Sequence, residues 1–370
     1  MKRSTVLYAL SGVTAIVAVT LVPANALATP GVVTVATGLD NPRGVAFAPN
    51  GTMYVAEAGT GGPGPCFTGP EGDTVCFGTS GAVSEVRNGI QRRVLTGLPS
   101  IANIGGANGI GPSDVSFQGT GSMYVTVGLG ADPAERTQLP AAGQVTGWLL
   151  RAQPGQGDWQ LVADIAGFEG QSNPDGGEPD SNPASVTATA GGQAVADAGG
   201  NSLQWVAANG SVSNLAVFPD RMAEAPPFLG LPPGTQIPMQ SVPTSVVRGP
   251  DGAFYVGELT GFPFQPGAAR VHRVVPGQAP EVVAEGFTNI IDLAFSADGT
   301  LYVLEIAQNG LLSGDPSGAL IRVLPGGAKE TVLSEGLITP GGLAIRGDAA
   351  YVSNCGTCPG AGTVLRIALN

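Results

Sequence analysis

A six-bladed β-propeller is the fold class this sequence predicts, and three observations predict it. The first is a repeat: "PRGVAFAPNGTMYVAEAG" (42–59), "PSDVSFQGTGSMYVTVGLG" (112–130), "PASVTATAGGQAVADAGG" (183–200), "PTSVVRGPDGAFYVGELTG" (243–261), "IIDLAFSADGTLYVLEIA" (290–307) and "PGGLAIRGDAAYVSNCG" (340–356). Each copy reads as strand, tight turn, strand, with Asn-Gly, Asp-Gly or paired glycines at the turn. The second is that two further strand-like pieces follow each copy, as in "ARVHRVVPGQAPEVVA" (269–284), which makes about four strands per repeat. The third is how the ends fit. The last repeat stops one strand short at "GTVLRIAL" (362–369), while "GVVTVA" (31–36) is a spare strand before the first. Donating it to the last blade closes the ring and protects an edge.

The elements follow in chain order. Lys2 and Arg3, the apolar run 6–22 and the small residues Ala26-Leu27-Ala28 form a secretory signal peptide over 1–28. The run is short for a membrane span, and no other stretch is long and apolar enough. An exported, extracellular chain is therefore expected, with 29–370 as a single propeller domain. High Gly and Pro beside 43% hydrophobic residues fit a turn-dense globular fold. Removing Lys2 and Arg3 takes the formal net charge from −12 to −14. That charge argues against nucleic acid or an anionic membrane surface as partner. Membrane insertion is not expected, and a monomer is. The cysteines form two local pairs, Cys66/Cys76 and Cys355/Cys358, expected to be short disulfides in an oxidising compartment. "CGTC" resembles a redox motif, but Pro359 and Gly360 follow where that chemistry needs a helix N-terminus.

With strands labelled A to D from the channel outwards, the A–B and C–D connections are short ("PNG", "PDG", "ADG", "RNG", "PGQ", "PGG"). The long segments, 58–80, 99–112, 128–146, 170–183, 219–242, 260–268 and 307–318, are all B–C or D–A connections. Strand direction alternates, so these emerge on one face, which is the expected working face. Two-residue turns would place Ser245 opposite Glu258, Gly44 opposite Glu57 and Asp292 opposite Glu305, with Asp114 facing Val127. Glu57, Asp197, Glu258 and Glu305, with Asp114 and Asp292 further in, are then expected around the channel mouth.

Carboxylates as close as Asp292 and Glu305 must share a proton, a cation or an arginine. Three functional readings stay open: a Ca2+-like cation, a general acid/base pair, or a ring neutralised by an arginine such as Arg43. A metal would take Asp292, Glu305, Asp114 and Glu57, with Asn41 and Asn182 as further oxygen ligands. Against all three stands the plain reading that strand ends carry acids because they are wet. The acids of 172–183 lack the spacing of an EF-hand, and a solvated loop is expected there. Phe262 and Phe264 flank the mouth. The single histidine, His272, falls on a C strand away from the channel, and no nucleophile elbow is present.

The segments "NPRGVAFAPNGTMYVAEAG", "GPCFTGPEGDTVCFGTSGAV", "VADAGGN" and "YVGELTGFPFQPGAARVHRV" resemble the ScyD/ScyE family, exported NHL-like propellers named from a pigment gene cluster. The resemblance covers essentially all of 29–370. It implies export and a six-bladed ring, and carries no catalytic residues across. The leading expectation is a small molecule or protein partner bound at the acidic, long-loop face. The alternative is a divalent-metal-dependent, gluconolactonase-like hydrolase, an analogy of fold alone.

Overall fold

The computed structural model describes residues 31–69, 72–119 and 121–369, so the expected signal peptide lies outside the described residues. Strand β1 (Val32–Leu39) comes first in the chain but belongs to the last blade. Blade 1 holds β2 (Pro42–Phe47), β3 (Met53–Glu57), β4 (Cys66–Thr68), β5 (Thr74–Arg87) and β6 (Ile90–Asn103). Blade 2 holds β7 (Pro112–Gln118), β8 (Ser122–Val127), β9 (Trp148–Ala152) and β10 (Trp159–Asp164). The helix α1 (Ile165–Ser172) leads to blade 3: β11 (Pro183–Thr189), β12 (Gly192–Asp197), β13 (Ser202–Ala207) and β14 (Val212–Val217). An inserted hairpin, β15 (Arg221–Glu224) and β16 (Gln236–Met239), precedes blade 4: β17 (Pro243–Arg248), β18 (Phe254–Glu258), β19 (Ala269–Val274) and β20 (Glu281–Phe287). Blade 5 is β21 (Ile290–Phe295), β22 (Leu301–Glu305), β23 (Ala319–Val323) and β24 (Lys329–Leu333). Blade 6 is β25 (Gly342–Arg346), β26 (Ala349–Asn354) and β27 (Gly362–Ala368), completed by β1 on the outside.

The predicted ring and its closure are therefore present. The innermost strands β2, β7, β11, β17, β21 and β25 each contact the next, and β25 contacts β2. Strand B is packed on both faces by neighbouring blades, which is why "MYVAE" and "LYVLE" are buried throughout. Outer strands such as β20 are largely exposed. Apolar clusters fill the spaces between blades, with Tyr54 and Val83 of blade 1 against Val115, Val125 and Leu150 of blade 2. At the closing seam Phe47 meets Tyr351 edge-on at 4.8 Å.

The long segments carry more structure than loops. β5 and β6 run on past the blade, and β4 adds to β5, so 66–68 and 74–81 are sheet. Both expected disulfides are present. Cys66 pairs directly across from Cys76 and is bonded to it. Cys355 is bonded to Cys358 in the connection between β26 and β27, where Cys358 N–H donates to Cys355 O (3.1 Å). That connection is a tight turn with no helix after it, so Cys358 closes a clip and lacks the helix N-terminus that a redox cysteine pair uses. Among the described residues no helix is long and apolar enough to cross a membrane.

The cross-strand pairings differ from expectation by one residue. Asp251-Gly252 and Asp298-Gly299 sit in three-residue turns that end on a glycine at positive φ (83° and 86°), closed by Gly249 N–H to Ala253 O and Ser296 N–H to Thr300 O. A bulge then adds one residue to strand A in blades 1 to 5. Asp292 therefore faces Leu304, Ser245 faces Gly257 and Asp114 faces Thr126; Glu305 pairs with Ile290, Glu258 with Pro243 and Glu57 with Pro42. A one-residue slip changes which face every side chain takes, so Asp292 and Glu305 are not a pair.

Candidate functional site

The carboxylates fall into two structural sets. Asp114 and Asp292 occupy equivalent positions on the innermost strands, shared by Ser185 and Ser245 of the blades between them. Asp114 Oδ2 accepts hydrogen bonds from Ser185 Oγ (2.8 Å) and Val186 N–H (2.9 Å). Ser185 Oγ accepts from Val246 N–H (3.1 Å), and Ser245 Oγ accepts from Leu293 N–H (3.0 Å) while donating to Asp292 Oδ1 (2.7 Å). Asp292 Oδ2 accepts from Leu343 N–H at 2.6 Å. The result is a belt that links blades 2 to 6 in order, each joined to its neighbour within that set. Burial holds both acids above the usual carboxylate range, and the Asp292 charge raises Asp114 further.

The acids that end the B strands form the second set, and they are buried rather than wet. Glu57 and Asp197 are 0% exposed, Glu258 2% and Glu305 5%. Each secures the segment that leads into its own blade. Glu57 accepts from Asp40 N–H (2.8 Å), Asp197 from Asn182 N–H (2.6 Å) and Glu305 from Thr288 N–H (2.7 Å). Glu258 accepts from Ser241 Oγ (2.9 Å) and lies 2.6 Å from His272 Nε2. Neutralisation comes from Arg93, which forks onto Glu57, and Arg221, 2.6 Å from Glu258. Neither arginine was singled out by the sequence. Arg43 instead donates to Gly109 O (2.8 Å) and, among the described residues, makes no ion pair. Burial lowers it to about 10, so it remains charged.

Asp292, Glu305, Asp114 and Glu57 are thus spent on separate partners. Among the described residues no three His, Cys, Asp or Glu side chains gather closely enough to hold a metal ion, so the calcium set does not fit. Asn41 bonds Gly59 O and Gly106 O through Nδ2, and Asn182 Oδ1 accepts from Leu129 N–H. Asn41 N–H donates in turn to Cys358 O (3.1 Å), so the Cys355–Cys358 clip fastens the exit of β1 at the closing seam and serves the scaffold. His272 is where it was expected, on β19, 8% exposed, with its ring tilted against Phe218 at 4.9 Å. Phe262 is 39% exposed and meets Phe264 and Phe228 edge-on at 6.3 and 6.2 Å, an aromatic group on the loop-bearing face.

The same face also carries a cavity that the sequence did not indicate. It encloses about 400 Å3 beside blades 1 and 2, off the channel axis. Every wall comes from a B–C or D–A connection or from the extension of β5 and β6. Its floor is apolar: Phe67, Val75, Ile101, Ile110, Leu129 and Leu139. Its rim carries Asp132, Glu135 and Asp180. The walls are held by the Cys66–Cys76 disulfide, the Phe67–Val75 strand pair and the Ala131–Ser181 bridge. Cys355 and Cys358 contribute nothing to its lining. The available signal was apolar residues such as Ile110, Leu129 and Leu139 inside segments otherwise rich in turn formers.

No family model matches the chain, and no curated protein matches it. Solved structures do, at low identity. A protein of unknown function from Bacteroides thetaiotaomicron aligns with a TM-score of 0.56 at 9% identity, covering 91% of this chain and 75% of that one. A calcium-binding regucalcin from Agrobacterium tumefaciens aligns at 0.52 and 14%, covering 92% and 93%. A candidate gluconolactonase aligns at 0.50 and 12%, covering 92% and 94%. At such identities the likeness is one of fold, the β-propeller.

Proposed function

We propose that this is an exported β-propeller, akin to the ScyD/ScyE proteins, that binds a small molecule or partner protein at its loop-bearing face. The observation that carries the reading is the cavity of about 400 Å3 built entirely from that face. Its size, apolar floor and few polar groups are those of a small-molecule site. The channel acids support it indirectly: committed to the belt and to the strand ends, they are scaffold for the loops rather than a free mouth. The same commitments weigh against a carboxylate-metal hydrolase. Export is supported by the leader-like 1–28 and by two disulfides.

Ligand-observed NMR screening of the exported chain against a fragment library tests the proposal. Hits are expected to lose binding in Thr68→Trp, where an exposed rim residue becomes a plug. Hits that ignore that substitution and follow variants of the short A–B turns would place recognition on the other face and overturn it.

A further inference from the structure

The rim of the cavity has one sign of charge and no cation to balance it. Asp132, Glu135 and Asp180 make no ion pair among the described residues, and the nearest arginine in sequence, Arg136, is bound to both oxygens of Asp164 at 2.7 and 2.9 Å. Asp132 Oδ1 caps the following turn through Ala134 N–H (2.8 Å), which leaves its second oxygen free of that role. Asp180 is the inner member of the three. Its Oδ1 is buried beside Gly199 and away from the cavity, so a ligand there would meet the carboxylate through Oδ2. Burial raises its pKa, the Ser181 N–H offsets part of this, and the charges of Asp132, Asp175 and Glu135 add to the rise. An acid so placed gains most from a cation that arrives with its own hydrogen-bond donors.

We propose that the cavity takes a small organic cation, a protonated amine on an apolar body, with the body on Phe67, Ile101, Ile110 and Leu139 and the ammonium at Asp180, Asp132 and Glu135. The inference rests on the small-molecule reading of this cavity and names its ligand class. The apolar floor supplies affinity without directional preference. The unbalanced acids supply selection: an anion of the same shape meets three like charges, and a neutral isostere leaves the acids as they were. A free metal ion is a poor occupant, because half of the wall offers it no oxygen.

Three probes of one shape test this: 4-phenylbutylamine, 4-phenylbutanol and 4-phenylbutanoate, titrated calorimetrically into the exported chain. The amine is expected to bind about tenfold tighter than the alcohol, with the carboxylate weakest. Asp180→Asn, close in shape, is expected to lower amine affinity about tenfold and leave alcohol affinity unchanged, with an unaltered melting temperature showing an intact fold. The double variant Asp132→Asn/Glu135→Gln is expected to cost less, since those acids are exposed and screened. If amine and alcohol bind equally, and Thr68→Trp abolishes both, the cavity is a ligand site but charge does not select its ligand. If no probe binds, or Thr68→Trp alters nothing, the inference and the small-molecule reading fall together.

Discussion

A β-carbon on Gly44 would lie 2.0 Å from Asp114 Oδ1, so this glycine is required by its neighbour and not by its backbone angles. Gly44→Ala should displace Asp114 from the belt and destabilise the fold by about 1–3 kcal/mol, read from urea unfolding. Shortening the neighbour should recover part of this, so Gly44→Ala/Asp114→Ser should lose less than the two single variants together. Glu169 has a different problem. It is 0% exposed, neither oxygen has a partner, and burial together with Asp197, Asp175 and Asp180 pushes its pKa up to about 8. Burial likewise raises Glu305 to about 7 and Asp197 to about 6. For such acids the folded state holds its proton while the unfolded chain, with carboxylates near about 4, has released it. Folding stability therefore falls as pH rises from about 4 through 6–8. The opposite shifts of Asp251, Asp298 and Asp315 act only below that window. The urea midpoint should be lower at pH 8 than at pH 5. Glu169→Gln should raise it at pH 8 and flatten the difference.

At the scale of elements, the extension of β5 and β6 with β4 converts a predicted loop into the cavity's wall. Period-2 alternation was visible in "DTVCFGTSGAVSEVR" (73–87), but its first half has no repeat counterpart to pair with, so its partner β4 was not legible. The paired cysteines were legible, because ten residues of separation in a chain expected to be exported suit one hairpin. The pairing of Cys355 with Cys358 was legible for the same reason, three residues of separation, but the bond from Asn41 to Cys358 O that ties this clip to β1 was not. Cys66→Ser/Cys76→Ser should release β4 and speed amide exchange over 61–69 and 72–80. The global cost should stay within about 3 kcal/mol, because the closed loop is short. Unchanged exchange there would show that strand pairing alone holds the wall.

The whole ring depends on one non-local event, the pairing of β1 with β27. Leu39 at the end of β1 is 0% exposed and packs with Val45, Val55 and Val364 across the seam. Leu39→Ala should cost about 2–5 kcal/mol. It should also make the segment 31–40 the first site of proteolysis, because an opened seam frees the outermost strand before the inner blades. Cleavage elsewhere first would mean that the ring opens at another blade boundary.

The sequence by itself determined the repeat, the number of blades, the closing strand, the disulfide partners and the crowding of long segments on one face. The strands, turns and disulfides are written within windows of about twenty residues, through alternation, turn chemistry and spacing, and the blade count and closing strand follow from how often that pattern recurs and where it stops. Only the tertiary structure decided where the acids point and what they meet. Three-residue turns and repeated bulges moved Asp292 away from Glu305, a one-residue matter that residue types alone do not settle. The ring then brought Asp114 to Ser185, Arg93 to Glu57 and Arg221 to Glu258 across 71, 36 and 37 positions of chain. The cavity is the furthest from local: segments from blades 1 and 2 and from the connection into blade 3 meet there, and neither its apolar floor nor its unbalanced acids exist as a site until those blades have packed together.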